Sequence, residues 1–218
     1  MKKKRNEELA YEKVKRAIML KKLNPDQRVT EEWLSQELKM SRTPIRSAFK
    51  RLESEGLLTL IPHRGAFVCN PSDKELEDVF RLRVVIERYA AELAIENMTD
   101  EDVVEMEKLL KRELEAYESK DFEAFLTINS LIHAFPAKLS NNTFLLQEIE
   151  RLNQWSDCYL ILKDEFYTIP TEEAKSIPEH HAILEAFRNR DVDKMCDEIE
   201  THLLSTLDDL SERKSIFS

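Results

Sequence analysis

Histidines are concentrated in the second half of this 218-residue chain, where their spacing could support metal binding. His133 follows Asn129 by one helical turn, so both side chains lie on one helix face. His180 and His202 belong to two later segments, and the three imidazoles could meet inside an antiparallel bundle. Neutral imidazole commonly binds zinc, nickel and related ions. The alternative is that these are isolated histidines at the surface or in the core, as most helical histidines are.

A second candidate for chemistry is the stretch MSRTPIRSAFKRL, residues 40–52, which is basic and contains no acidic residue. Helical spacing divides it into two faces. The inward, apolar face consists of Ile45, Ala48, Phe49 and Leu52. The outward face carries Arg46, Ser47 and Lys50, with Arg42 and Thr43 at its N-terminal end. Such a face suits the phosphates and base edges of DNA, although a solvated surface is the commoner meaning of a basic helix.

The charge distribution favours the DNA-binding interpretation of this stretch. The chain has a formal net charge of −10, yet residues 1–70 contain 16 lysines and arginines against 9 aspartates and glutamates. A basic module is attracted to polyanions, and an acidic remainder is repelled by them. We therefore expect two domains, a DNA-binding domain at 1–70 and an acidic domain at 71–218.

The composition predicts a mainly α-helical protein. Only two glycines occur while charged residues make up 35%, a balance that suits long helices. The three cysteines, Cys69, Cys158 and Cys196, form no CxxC pair, so the sequence indicates neither a disulfide framework nor a thiolate zinc site. No long apolar segment or signal peptide is visible, which predicts a cytoplasmic protein without a membrane partner.

The basic module has the element order of a winged helix-turn-helix. The periodicity predicts helices over residues 6–22, from Thr30 to about Lys39, and through the basic stretch, with Thr43 as N-cap and Pro44 at the first helical position. Gly56 ends the third helix, and LLTLIPHRGAFV predicts a β-hairpin. In such modules the third helix enters the major groove of DNA, leading with its N-terminal residues.

The acidic module is predicted to be an all-α antiparallel helical bundle. Its first helix begins near Asp73, and Thr99 with Asp102 resembles a capping box for the next. Further helices are expected over 121–139, 142–167, 172–189 and 191–212. On the helix that begins near Asp73, Arg83 could bind an acidic ligand, or it could simply pair with Glu87 four residues later.

The motifs MSRTPIRSAFKRLESEGLL and PHRGAFV resemble the signature of the GntR family of bacterial transcription regulators. The resemblance implies that Ser41, Arg42, Thr43 and Arg46 contact DNA from the recognition helix, and that Arg64 and Gly65 form the wing tip. Two positions depart from the family pattern. Asp26 occupies the place of a usual glycine, and Glu32 stands where some members carry a DNA-contacting arginine.

The acidic module resembles the FCD effector domain of the FadR-like branch, through RLRVVIERYAAELA, NSLIHAF and EHHAILEAFRNRDVDKMCDEIETHL. The resemblance implies a metal site made of Asn129, His133, His180 and His202, with His181 at a non-ligand position. Asn129 replaces the usual aspartate, which predicts a weaker site for Zn or Ni. The resemblance also implies that a small organic acid binds nearby, with Arg83 as a further contact.

Together these features predict a ligand-responsive transcription regulator, expected to be a repressor, rather than an enzyme. A homodimer would bind a palindromic operator with its recognition helices about 34 Å apart, and a small carboxylate metabolite would control it. The alternative function is an all-helical metal-dependent hydrolase, since three histidines around a metal can also activate water. No HExxH or other reaction motif supports that alternative.

Overall fold

The computed structural model describes residues 2–163, 170 and 173–212. Within this range the chain is mainly helical with one small antiparallel sheet, which confirms the predicted fold class. It forms two compact units. One comprises the residues up to Ser72 together with Cys158–Leu162, and the other comprises Asp73–Asp157 and the described residues from Lys163 onward. None of the described helices is long and apolar enough to cross a membrane.

The first unit is a winged helix-turn-helix. Its elements, in chain order, are α1 (Lys2–Met19), β1 (Arg28–Val29), α2 (Glu31–Glu37), α3 (Arg42–Ser54), β2 (Leu58–Ile61) and β3 (Gly65–Val68). The sheet has the order β1-β3-β2, with Ala66 opposite both Val29 and Leu60. The hairpin β2–β3 is the predicted wing. The strand β1 was not predicted, because two residues are too few to show an alternating pattern of apolar and polar residues.

Helix α3 presents the two faces that its periodicity predicts. Ile45, Ala48, Phe49 and Leu52 are all at most 3% exposed, whereas Arg42 and Arg46 are exposed. The predicted start is wrong by two residues, because Ser41 takes the extended N-cap conformation and Pro44 falls at the third helical position. Proline is tolerated there because the amides of the first helical turn need no intrahelical acceptor.

Helix α3 ends in a Schellman motif that depends on Gly56. Gly56 has φ +76°, and the amides of Gly56 and Leu57 donate to the carbonyls of Glu53 and Leu52. This pairing satisfies two carbonyls at the helix end and requires a left-handed residue, which glycine adopts without strain. The reversal sends the chain directly into strand β2, so Gly56 sets the position of the wing.

Asp26, which stands where the family pattern has glycine, also adopts a left-handed conformation, with φ +62°. Aspartate tolerates this region better than most side chains. Its carboxylate also accepts a hydrogen bond of 2.6 Å from the Asn70 side chain. The departure from the pattern therefore leaves the turn before β1 intact.

The second unit is an all-α bundle. Its helices are α4 (Asp73–Asn97), α5 (Asp100–Glu118), α6 (Phe122–Leu139), α7 (Thr143–Lys163), α8 (Ser176–Arg188) and α9 (Val192–Glu212), except that Cys158–Leu162 of α7 belong to the first unit. The Thr99 and Asp102 capping box is present at the start of α5, as predicted. The predicted extension of α7 to residue 167 lies outside the described residues. Helices α4, α6 and α7 share an apolar layer built around Ala90, Ala134 and Ile149.

Candidate functional site

Three histidines from three helices meet in the interior of the second unit. His133 lies on α6, His180 on α8 and His202 on α9, and all three are at most 7% exposed. The Nε2 atom of His202 lies 3.1 Å from that of His180 and 3.3 Å from that of His133. Among the described residues, these three form the cluster of side chains able to share a metal ion.

Each of these imidazoles faces a glutamate through its other ring nitrogen. The Nδ1 atoms of His133 and His180 lie 2.8 Å from carboxylate oxygens of Glu87 and Glu113. The Nδ1 atom of His202 lies 2.7 Å from Glu179. A carboxylate accepts hydrogen bonds, so each Nδ1–H donates and each Nε2 keeps its lone pair. The three lone pairs therefore converge on one point.

Burial keeps the imidazoles of His133 and His202 neutral. Burial lowers the pKa of His133 to about 4, because the attraction of Glu87 only partly offsets the loss of solvation. Burial also lowers the pKa of His202, and the neighbouring histidines and Arg83 add to the effect. Nitrogen lone pairs this close repel one another unless a cation lies between them, and neutral imidazole is the form that binds metals.

The distances from the Nε2 atom of His202 to the other two Nε2 atoms match those of a metal site. Nitrogens at about 2.0–2.1 Å from a tetrahedral zinc ion lie about 3.3 Å from one another. The glutamates supply the outer shell that metal-bound histidines commonly have, in which a carboxylate fixes the tautomer and orients the ring. The residues present therefore fit a divalent transition metal in both donor type and geometry.

Asn129 precedes His133 by one turn of α6 and is 8% exposed. It shares a helix face with a member of the histidine cluster, as its spacing predicts. His181, assigned to a non-ligand position, is exposed. The structure thus separates the two adjacent histidines of α8, one in the cluster and one at the surface.

Arg83 pairs with Glu87, the same carboxylate that contacts His133 of the cluster. Its Nε donates to Glu87 at 2.7 Å, and both side chains are buried. Burial alone would raise the pKa of the Glu87 carboxyl, but Arg83 and His133 outweigh it and hold that pKa below its usual value. The Nη2 atom of Arg83 is buried and has no hydrogen-bond partner among the described residues. Arg83 therefore pairs with Glu87 and still has a donor available.

Glu113 and Glu179 were not singled out from the sequence, although a signal for Glu113 exists. Glu113 falls on the apolar stripe of α5 that includes Met106 and Leu110, and it is fully buried. A charged residue at a core position needs a partner, which here is His180. Glu179 directly precedes His180 in the sequence, and no local pattern distinguishes it from the other surface acids.

The residues predicted to contact DNA are all exposed on the first unit. Ser41, Arg42, Thr43 and Arg46 lie on the first turns of α3, and Arg64 and Gly65 lie at the tip of the wing. Gly65 has φ +102°, a conformation that glycine alone adopts readily. Of these residues, Arg46 and Gly65 line a groove of about 570 Å³ between α3 and the wing. Their chemistry suits phosphate oxygens and base edges.

Comparison with known proteins gives the same picture for both units. Residues 6–68 match the family described as "Bacterial regulatory proteins, gntR family", and residues 78–205 match the FCD domain. The chain is 30% identical to the HTH-type transcriptional regulator McbR of Escherichia coli over 179 residues, which cover 82% of this chain and 80% of McbR. It is 26% identical to the gluconate operon transcriptional repressor of Bacillus licheniformis, covering 77% and 69%.

A solved structure of E. coli McbR/YncC superimposes on this chain with a TM-score of 0.73 at 26% identity, covering 95% of this chain and 97% of that one. The likeness therefore extends over both units. None of these relatives is named as an enzyme.

Proposed function

Because this chain belongs to the GntR family of bacterial transcription regulators and carries an FCD domain, we propose that a small carboxylate and a bound metal control its binding to DNA. The chain is a DNA-binding regulator and not an enzyme, so the hydrolase alternative is set aside. What carries the proposal is the convergence of three histidine Nε2 atoms beside a buried arginine with an unused donor. We further propose that it acts as a repressor, in the cytoplasm where its operator lies.

The proposed metal is a divalent transition ion, zinc or nickel, held by His133, His180 and His202. Three imidazoles leave coordination positions open, because zinc takes at least four ligands. Asn129 is the proposed fourth ligand, and its neutral amide oxygen binds more weakly than an aspartate would. Because a zinc site can expand to five ligands, a carboxylate would still be able to bind directly to the ion.

Arg83 is the proposed second contact for the carboxylate. Its guanidinium is already oriented by Glu87, and the remaining buried Nη2 donor would gain a charge-assisted hydrogen bond from an anionic ligand. A buried donor without a partner is costly, so a ligand that satisfies it gains affinity. A ligand bound here would touch helices α4, α6, α8 and α9 through their side chains and could bias their packing.

We expect a small carboxylate to change the affinity of the full-length protein for the DNA upstream of its own gene at least fivefold, a usual size for coupling between two sites. The measurement is an electrophoretic shift titration with mono-, di- and 2-hydroxycarboxylates, each paired with its uncharged amide. Only the acids should act, because the amide lacks the charge that the ion and Arg83 attract.

The control for this experiment uses two conservative variants on α4. Arg83→Lys keeps a cation beside Glu87 but loses the planar fork, so the active acid should be needed at about tenfold higher concentration. Arg88→Lys makes the same change at a surface arginine paired with Glu200 and should respond like the parent. An amide as potent as its acid, or equal responses from both variants, would contradict the role of Arg83.

The homodimer is proposed from an apolar stripe on helix α4. Leu82, Val85 and Tyr89 are 47%, 64% and 48% exposed, and their spacing places them on one helix face. A contiguous exposed apolar stripe commonly marks an interaction surface. A second copy is its proposed partner, because a palindromic operator requires two recognition helices related by a twofold axis.

We expect Val85→Asp to convert the homodimer to a monomer, because the substitution would bury a charge at the centre of the stripe. Light scattering should report a mass near twice 25.7 kDa for the parent and near 25.7 kDa for the variant. Val104→Asp introduces the same charge on an exposed position of α5 and should leave the dimer intact. A monomeric parent, or a dimeric Val85→Asp variant, would refute this interface.

A further inference from the structure

An acidic residue of α2 holds the central arginine of the recognition helix. The Nε of Arg46 lies 2.8 Å from both carboxylate oxygens of Glu31, fifteen residues earlier in the chain. Glu31 is the first residue of α2, directly after the N-cap Thr30, whose hydroxyl accepts a hydrogen bond from the amide of Trp33. The carboxylate thus projects from a capped helix end, which limits its freedom to move.

This pairing occupies one edge of the guanidinium and leaves the other available. Glu31 engages Nε, whereas Nη1 and Nη2 of Arg46 make no hydrogen bond to any residue that the structure describes. Two parallel donors on one edge are what an arginine uses to bind O6 and N7 of guanine, or two phosphate oxygens. The Arg46 side chain is 63% exposed, so this edge is accessible.

Glu31 and Arg46 both line the groove between α3 and the wing. The groove is otherwise basic and apolar, with Arg28, Lys50 and His63 among its lining residues. Glu31 is the acidic member of that lining, at a place where an approaching phosphate backbone would be repelled. A negative charge here lowers the affinity for DNA of any sequence. A role in sequence specificity would explain why an acidic residue occupies this position.

We propose that Glu31 is a specificity-determining residue that positions Arg46 for base recognition. A free arginine side chain can reach many phosphates, whereas one fixed by a carboxylate presents its Nη edge in one direction. Fixing the donor lowers the entropy lost when it binds the correct base. Glu31 therefore lowers non-specific binding through its charge and raises specific binding through orientation. This inference rests on the proposed contact between Arg46 and DNA.

The test compares Glu31→Gln with Glu37→Gln in the full-length protein. Glu37 is the last residue of α2, is exposed, and forms no ion pair with another described residue. Both variants remove one negative charge from α2 and keep the side-chain length. Affinities are measured at one fixed salt concentration for two duplexes, one enriched by the parent protein from a random-sequence library and one with the same bases scrambled.

Both variants should bind the scrambled duplex about two- to threefold more tightly, because each removes one charge that repels phosphates. Only Glu31→Gln should lower the ratio of enriched to scrambled affinity, by about tenfold, which lies within the range for one bidentate base contact. Glu37→Gln should change that ratio less than twofold. Thermal melting of both variants separates this effect from a loss of folding.

The variant Arg46→Ala distinguishes failure of this inference from failure of its premise. In that background Glu31→Gln should no longer lower the ratio, since no guanidinium remains to be oriented. If Arg46→Ala leaves the ratio unchanged, the proposed DNA contact itself is wrong. Suppose instead that Arg46→Ala lowers the ratio. If Glu31→Gln then behaves like Glu37→Gln, or if Glu31→Gln raises the ratio, the positioning role of Glu31 is refuted.

Discussion

Arg46→Ala is expected to abolish sequence-specific operator binding while the protein remains folded. One bidentate contact between an arginine and a guanine discriminates by about 10- to 100-fold, and a homodimer makes the contact twice. We therefore expect a loss of specific affinity on the order of 100-fold or more, measured by titration against the DNA upstream of the protein's own gene. Affinity for scrambled DNA should fall only a few-fold, because two positive charges are lost.

The fold should survive this substitution because Arg46 is on the surface. Its only ion pair is with Glu31 in the described part of the chain, and the buried stripe of α3 is made by other residues. Arg16→Ala is the matched control, since Arg16 is an exposed arginine in the last turn of α1. It should reduce affinity for both duplexes equally. Specific binding that persists in Arg46→Ala would mean that α3 does not read the operator.

Loss of one buried histidine is expected to remove the metal entirely. Protein purified without a histidine tag should carry about one zinc or nickel ion per chain, measured by elemental mass spectrometry of the digested protein. His180→Ala should carry less than a tenth of that amount, because two remaining imidazoles cannot complete the site. His181→Ala is the matched control, since it removes the exposed neighbour and should leave the metal content unchanged.

A second variant covers the case in which His180→Ala fails to fold. Removing His180 leaves the Glu113 carboxylate buried without its partner, which costs about 3–5 kcal/mol. His202→Gln is milder because its partner Glu179 is 22% exposed and can be solvated. It should lose the metal while keeping the helical circular dichroism of the parent. A parent without metal, or a His202→Gln variant that retains it, would contradict the site.

Metal removal should also lower the stability of the second unit. An ion present at about 1,000 times its dissociation constant stabilises the folded state by about 4 kcal/mol. Treatment with a chelator should therefore lower the melting temperature by roughly 5–15 °C. Asn129→Asp is expected to bind the ion about tenfold more tightly, because a carboxylate adds charge to the coordination shell. Asn142→Asp places the same charge at the start of α7 and should not alter metal affinity.

Most helices and the wing of this protein could be predicted from local sequence patterns. Amphipathic periodicity depends on residues three and four apart, so it predicted the buried and exposed faces of α3. Capping is equally local, and Thr30, the Thr99 box and Gly56 were predicted where the structure has them. The prediction of the α3 start was wrong because two neighbouring residues can both occupy an N-cap. Ser41, rather than Thr43, occupies the N-cap position of α3. Strand β1, with two residues, carries no periodic signal.

Contacts between polar side chains on different helices became visible in the folded chain. Arg83 pairs with Glu87 and keeps a free donor, a combination that a spacing of four residues does not reveal. Glu31 on α2 pairs with Arg46 on α3, and His133 contacts His202, which lies 69 residues later in the chain. The physical reason is that such contacts depend on how helices pack and on which rotamers the core permits. Local sequence patterns contain no information on helix packing or on the rotamers of the core, whereas the folded chain specifies both.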